Sequence, residues 1–311
     1  MPNRKRFRSA NDGQGSPRWP SSEDPFGRDV RLFQNGAHSL EYMVCGEPEL
    51  RPIVILQSLE YPGWPPVGFC ELAASAGFRI VTVRRPGFGA NPPLADMDDQ
   101  ASLVAHFLDA EDIRGAIVVS KGTANPIGHR LAVSGHPRIA LSVFANCGFN
   151  YNQLAEFQPD WFARTLEQAL TKPAGARLSL MSLKSSWGIF GSTWVHENMW
   201  SKSSGDIAFL RNNPELVREA IGMMQARLDV PTFMAELAAS LIRDPFLVDG
   251  LFRDVPAITV SGLETNASWK QGVDSEAERL GLPPAAYLSA GDTQVIYQSA
   301  VEFFECLIPH I

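Results

Sequence analysis

Short apolar runs alternate with helically spaced apolar residues through the first half of the chain. Val30 to Phe33 and Leu40 to Val44 flank Asn35-Gly36, a pattern that predicts two strands joined by a tight turn. Pro52-Ile53-Val54-Ile55-Leu56 is a compact apolar run ending in Gln57-Ser58, which predicts a strand buried on both faces. Phe69, Leu72, Ala73 and Ala76 have helical spacing, and Gly77 closes that helix. Phe78 to Val83 predicts another buried strand, running into the breaker-rich loop Arg85-Pro86-Gly87-Phe88-Gly89. Val104, Phe107 and Leu108 mark the next helix, and Ala116 to Val119 the next strand. A small-residue turn, Ser120-Lys121-Gly122-Thr123-Ala124, then opens a helix ending near Ser134, and Ile139 to Ala145 predicts a further strand. Alternating strands and helices with short connections predict a mostly parallel sheet covered on both faces.

The alternation stops between about Asn150 and Pro245. That segment has helical stretches, Trp161 to Leu170 and Leu216 to Arg227 among them, and carries Trp161, Trp187, Trp194 and Trp200. It predicts a helical insertion. Strand signals return at Ala257 to Val260 and Ala286 to Leu288, and a last helix is expected over about Tyr297 to Leu307. The expected organisation is a disordered tail over 1–25, a core made of 26–149 and 246–311, and a helical cap over 150–245.

Composition narrows the class. The chain has 311 residues, 45% of them hydrophobic, so a large core is available without disulfide staples. Its net charge of −7 argues against nucleic acid as a partner. Cys45, Cys70, Cys147 and Cys306 are far apart with no Cys-x-x-Cys pair, which predicts free thiols and neither a metal site nor a disulfide framework. No window approaches the ~18 consecutive apolar residues of a membrane helix, and the start lacks an apolar signal core. A cytoplasmic protein without a membrane partner or cofactor is the expectation. The basic N-terminal residues Arg4, Lys5, Arg6 and Arg8 read as part of the tail, with contact to an acidic partner as the alternative.

The element order, the loop Arg85 to Gly89, the stretch His136-Pro137-Arg138-Ile139 and the cap residues Trp161-Phe162 and Ser204-Gly205-Asp206 resemble the α/β-hydrolase superfamily. The likeness is to bacterial members with a helical cap, some of them associated with LuxR-type regulators. It spans about Asp29 to Ile308. The last fold element ends close to Ile311, so no appended DNA-binding domain is expected. The family's chemistry rests on a Gly-x-Ser-x-Gly elbow, an acid after a late strand and a final His. The serine needs the histidine to take its proton, and the acid orients the histidine. Aligned without gaps, the nucleophile position falls on Gly122. The acid position falls on Thr265, in Gly262-Leu263-Glu264-Thr265. The histidine position falls on Asp292, after Gly291. The family's His-Gly after the third strand reads Gln57-Ser58. The resemblance therefore implies a hydrolase fold whose triad is degenerate.

The remaining candidates follow from that frame. Asp292 is expected to have a raised pKa in a closed pocket, serving as a general acid or base, or else to pair with Thr265. Ser58, Leu59 and Thr123 are candidates for a pocket or oxyanion hole, through backbone N–H groups near Leu59 and at Thr123. Ser120, Thr123 and Cys147 are the candidates for a relocated nucleophile, though no histidine is evident beside them. Lys121 is expected to reach solvent, with a pocket cation as the alternative. His196 is structural or points into the pocket. Glu264 lies one residue from the acid position. Three functions compete: a non-catalytic protein binding an apolar or acyl-like small molecule under the cap, or a protein partner; an esterase-like hydrolase with relocated residues; and a lyase or isomerase using Asp292.

Overall fold

In the computed structural model, residues 29–151, 168, 170–199 and 203–310 are described. An eight-stranded sheet runs in the order β1-β2-β4-β3-β5-β6-β7-β8. Strands β1 (Val30–Asn35) and β2 (His38–Cys45) form the hairpin, with Asn35 opposite His38 across the Asn-Gly turn. β2 pairs antiparallel with β4 (Phe78–Val83). β3 (Arg51–Leu56), β5 (Ala116–Lys121), β6 (Ile139–Ala145), β7 (Ala257–Gly262) and β8 (Ala286–Leu288) continue the sheet in parallel register. All six residues of β5 and of β7 are buried, as parallel strands covered by helices on both sides must be.

Two apolar layers hold the sheet. On one side Phe107 of α2 (Met97–Ala110) meets Tyr42 and Phe33 edge-on, at centroid distances of 4.8 and 5.6 Å. Such pairs add about 0.5–1.5 kcal/mol each beyond area burial. On the other, Phe69 of α1 (Val67–Ser75) packs against Tyr297 and Phe304. The helix predicted over Tyr297 to Leu307 is two pieces, Val295–Gln298 and Ala300–Leu307. The break at Ser299 lets its hydroxyl bond both Ala290 N and Ala290 O, which pins the preceding loop.

The chain leaves β6 at Ala145 and rejoins the sheet at Ala257. Between them lie helices α4 (Pro173–Phe190), α5 (Ser192–Met199), α6 (Ser204–Asn212), α7 (Pro214–Arg227) and α8 (Val230–Leu241), after α3 (Asn125–Val133) of the core. Ser203 caps α6 by accepting from Asp206 N, and Asp229 caps α8 by accepting from Thr232 N. The predicted tail and most of the helix predicted over Trp161 to Leu170 fall outside the described residues. No helix among the described residues is long and apolar enough to cross a membrane.

Candidate functional site

The site forms where β3, β4, β5, β7 and β8 deliver their following loops under the cap. At the end of β5 the backbone turns sharply: Gly122 has φ +44°, a left-handed conformation that favours glycine, and a short 3-10 turn leads into α3. A Cβ at Gly122 would lie 2.8 Å from Glu60 Oε2, so the Glu60 carboxyl occupies the space above the apex. Thr265 and Asp292 pair, one of the two outcomes expected for Asp292: Thr265 Oγ1 donates to Asp292 Oδ1 at 2.7 Å. Burial pushes the Asp292 carboxyl up to about 6, with Asp206, Glu264 and Glu60 adding to the rise against the pull of Thr265.

Lys121 corrects the sequence reading. Its side chain is 1% exposed instead of reaching solvent. Nζ donates to Gln294 Oε1 at 3.2 Å and lies over the rings of Tyr297 and Tyr61, 4.4 and 5.7 Å from their centroids. Burial lowers its pKa to about 7 despite Glu60 and Asp206 nearby. Burial also raises Glu60, whose Oε2 is buried without a hydrogen-bond donor.

The backbone donor expected near Leu59 is engaged: Leu59 N donates to Thr123 Oγ1 at 2.9 Å. That same hydroxyl also accepts from Arg85 Nη2 at 3.1 Å. Ser58 is fully buried beside Gln57. Arg85 donates further to Gln57 O and, at 2.6 Å, to Glu236 of α8. Its neighbour Arg84 reaches the cap through Glu219 at 2.9 Å and stacks over Trp64. The loop after β4 thus fastens the cap with two adjacent guanidinium groups.

Two cap-to-core connections involve Asp206 and Glu264, residues whose contacts the sequence did not reveal. Asp206 on α6 accepts from Asp292 N, Thr293 N and Gln294 N at 2.9–3.1 Å. Its pKa is nonetheless raised, because burial outweighs those bonds. Glu264 accepts from Ser203 Oγ and Gly205 N at 2.8 Å, from Gly291 N at 3.0 Å, and from Ser204 Oγ. Burial alone would raise its pKa, but these donors hold it below the usual carboxylate range. Gly205 sits against Gly291 too closely for any side chain. The signal for Asp206 was its place three residues after Ser203 at a helix start. Glu60 had no local signal beyond following Gln57-Ser58.

The other candidates are held elsewhere. Ser120 Oγ donates to Asn125 Oδ1 at 2.9 Å. Cys147 Sγ lies 3.4 Å from His129 Nε2, a pairing the sequence did not reveal. Burial raises the thiol and lowers the imidazole to about 3, so both are held neutral. His196 is buried and stacks on Trp187 within the cap, while Trp194 is exposed and packs at a tilt against Phe190. A surface cleft of about 680 Å³ lies along Arg243, Asp244, Val248 and Arg279, and none of Gly122, Thr265 or Asp292 lines it.

No protein-family profile and no curated protein sequence matches the chain. Solved structures do. The Cif epoxide hydrolase from Acinetobacter nosocomialis is similar at a TM-score of 0.66 and 15% identity, over 91% of this chain and 89% of that one. An epoxide hydrolase from Vigna radiata gives 0.63 at 12% identity, over 91% and 97%. The chain has the α/β-hydrolase fold. An enol-lactonase from Burkholderia xenovorans LB400, at 0.57 and 16% identity over 90% and 99%, has the same architecture. Within this α/β-hydrolase fold the mostly parallel sheet, the flanking helices and the helical cap match the sequence expectation.

Proposed function

We propose that this α/β-hydrolase-fold protein is not a serine hydrolase and acts as a binding or regulatory protein. The observation that carries the reading is Glu60 standing over Gly122, at the position the resemblance assigns to the nucleophile. The alignment of Gly122, Thr265 and Asp292 with the triad supports it. So does the Thr123 hydroxyl bonded to Leu59 N, because a donor already paired inside the protein must break that bond to serve an oxyanion. Ser120 and Cys147 are buried and bonded within the core, which argues against a relocated nucleophile.

The test is incubation of the purified protein with a fluorophosphonate probe and p-nitrophenyl esters. Neither labelling nor turnover is expected. Labelling that disappears in Ser120→Ala or Thr123→Ala would overturn the reading. A second reading, general acid–base chemistry of the lyase or isomerase type, is favoured by the Asp292 carboxyl at about 6. Any turnover found must then fall sharply in Asp292→Asn. An unchanged rate removes Asp292 from the mechanism.

A further inference from the structure

The charges around Lys121 do not balance. Arg85 from the loop after β4 and Glu236 from α8 neutralise each other at 2.6 Å. Glu264, after β7, is met by four donors, three of them on Ser203, Ser204 and Gly205 where α6 begins. What is left is one amine and three carboxyls. Lys121 at the end of β5 faces Glu60 from the loop after β3 and Asp206 from α6. Asp292, after β8, is coupled to both of those acids. A buried carboxyl without a matching cation keeps a proton or recruits a positive charge.

Two buried amides point to the same need. Gln294 gives its Oε1 to Lys121 and leaves Nε2 without a partner. Gln57 gives its Nε2 to Tyr297 Oη at 2.9 Å and leaves Oε1 without a partner. Both side chains are at least 99% buried. Among the buried polar atoms left without a partner in the described residues, these two belong to the side chains that bond Lys121 and Tyr297. The ring faces of Tyr61 and Tyr297 complete the surroundings with surfaces that attract cations.

We propose that the elbow site binds a small organic ammonium ion carrying a hydrogen-bond acceptor oxygen close by, such as an amino alcohol, in place of the acyl-like ligand expected from sequence. The ammonium group is met by the carboxylates of Glu60 and Asp292, and the oxygen accepts from Gln294 Nε2. The Lys121 ammonium is the internal competitor, holding the aromatic faces in the unliganded chain. This ligand class rests on the reading of the protein as a non-hydrolytic binder. Protonation of Glu60 and Asp292 opposes the ligand, so affinity rises with pH. Loss of the proton from Lys121 acts in the same direction, as does loss of the proton from Asp206, whose carboxyl burial also raises; Glu264 and the Arg85–Glu236 pair lie alongside.

The test uses the full chain in a thermal-shift titration at fixed ionic strength with 2-aminoethanol, 3-amino-1-propanol, 1,2-ethanediol and hexanoate. Both amino alcohols are expected to raise Tm by about 3 °C or more near saturation, and the neutral diol and the carboxylate to leave it unchanged. The shift should be larger at pH 8 than at pH 5.5, vanish in Glu60→Gln, and appear at lower ligand concentration in Lys121→Met. Should Glu60→Gln not fold, Asp292→Asn takes its place and must weaken the response. Stabilisation by hexanoate or the diol alone, or no response to the amino alcohols, overturns the ligand class and leaves the non-hydrolytic reading standing. Fluorophosphonate labelling overturns that reading itself.

Discussion

Two buried cations, Arg85 from the loop after β4 and Lys121 at the end of β5, meet the turn after β5, and the protein treats them differently. Arg85 has a carboxylate, a carbonyl and a hydroxyl arranged around its guanidinium. Lys121 has one amide oxygen, two ring faces and the Glu60 carboxyl, whose pKa burial raises. The first arrangement matches its cation with a carboxylate inside the chain, leaving only Nη1 without a partner, and joins the loop after β4 to the cap. The second is incomplete, and its groups have pKa values displaced toward neutrality. A closed ion pair is what a fastening needs. Displaced, unmatched groups are what binding or proton transfer needs.

The largest effect should come from opening the matched pair. Glu236→Ala leaves the Arg85 guanidinium buried without its counter-ion and should cost about 3–5 kcal/mol in denaturant unfolding. The double variant Arg85→Met/Glu236→Leu should recover most of that loss. A loss below 1 kcal/mol for the single variant would erase the contrast with Lys121.

The unmatched side is probed by pH. The folded-state pKa of Asp292 is raised to about 6, so the folded chain holds that proton more tightly than the unfolded chain does. The corresponding stability is present below the unfolded value near pH 4 and is lost as pH rises through 6. Asp292→Asn removes this loss. Its stability relative to the parent should grow by about 2–3 kcal/mol between pH 4 and pH 8, read from urea unfolding at each pH. A pH-independent difference would mean that the carboxyl is not displaced.

A smaller effect is expected at the apex. Gly122→Ser places a side chain at φ +44° and into Glu60 Oε2, with about 1–2 kcal/mol from the backbone alone. No esterase turnover should appear. Glu60→Ala in the same chain should return the part of the cost due to collision. The smallest change is expected at Cys147. Native protein should react with a thiol reagent there only at the rate of its unfolding, because the thiol is buried and held protonated. Fast labelling of the folded state would reopen Cys147 and His129 as a reactive pair.

The sheet was legible because its signals are local. A strand buried on both faces must be a continuous apolar run, and an Asn-Gly turn needs only two residues. Gly122, Thr265 and Asp292 were singled out by the resemblance rather than by periodicity, and each lies in the loop after a strand, β5, β7 and β8. Lys121 was misread for the opposite reason. A lysine beside a turn ordinarily reaches water. Here its surroundings come from Gln294, Tyr297, Tyr61 and Glu60, all distant in sequence or on loops whose path no periodicity describes. Cys147 and His129 met for a similar reason, since a strand-end loop and a helix share one side of β6.

The placement of the cap between β6 and β7 also governs how the chain assembles. Ser142 pairs with Ala257 across the whole insertion, the longest sequence separation between neighbouring strands of the sheet. Closing that loop costs more entropy than any other strand pairing in the molecule. The hairpin and the β3–β4–β5 unit can form from nearer partners, whereas β7 and β8 must wait for the intervening chain to collapse. Until they do, the free edge of β6 is an open template for another strand. The late pairing is expected to be the step that carries Thr265 and Asp292 to the Gly122 turn, and pulsed hydrogen exchange during refolding should then show protection in β3 and β5 before β7 and β8.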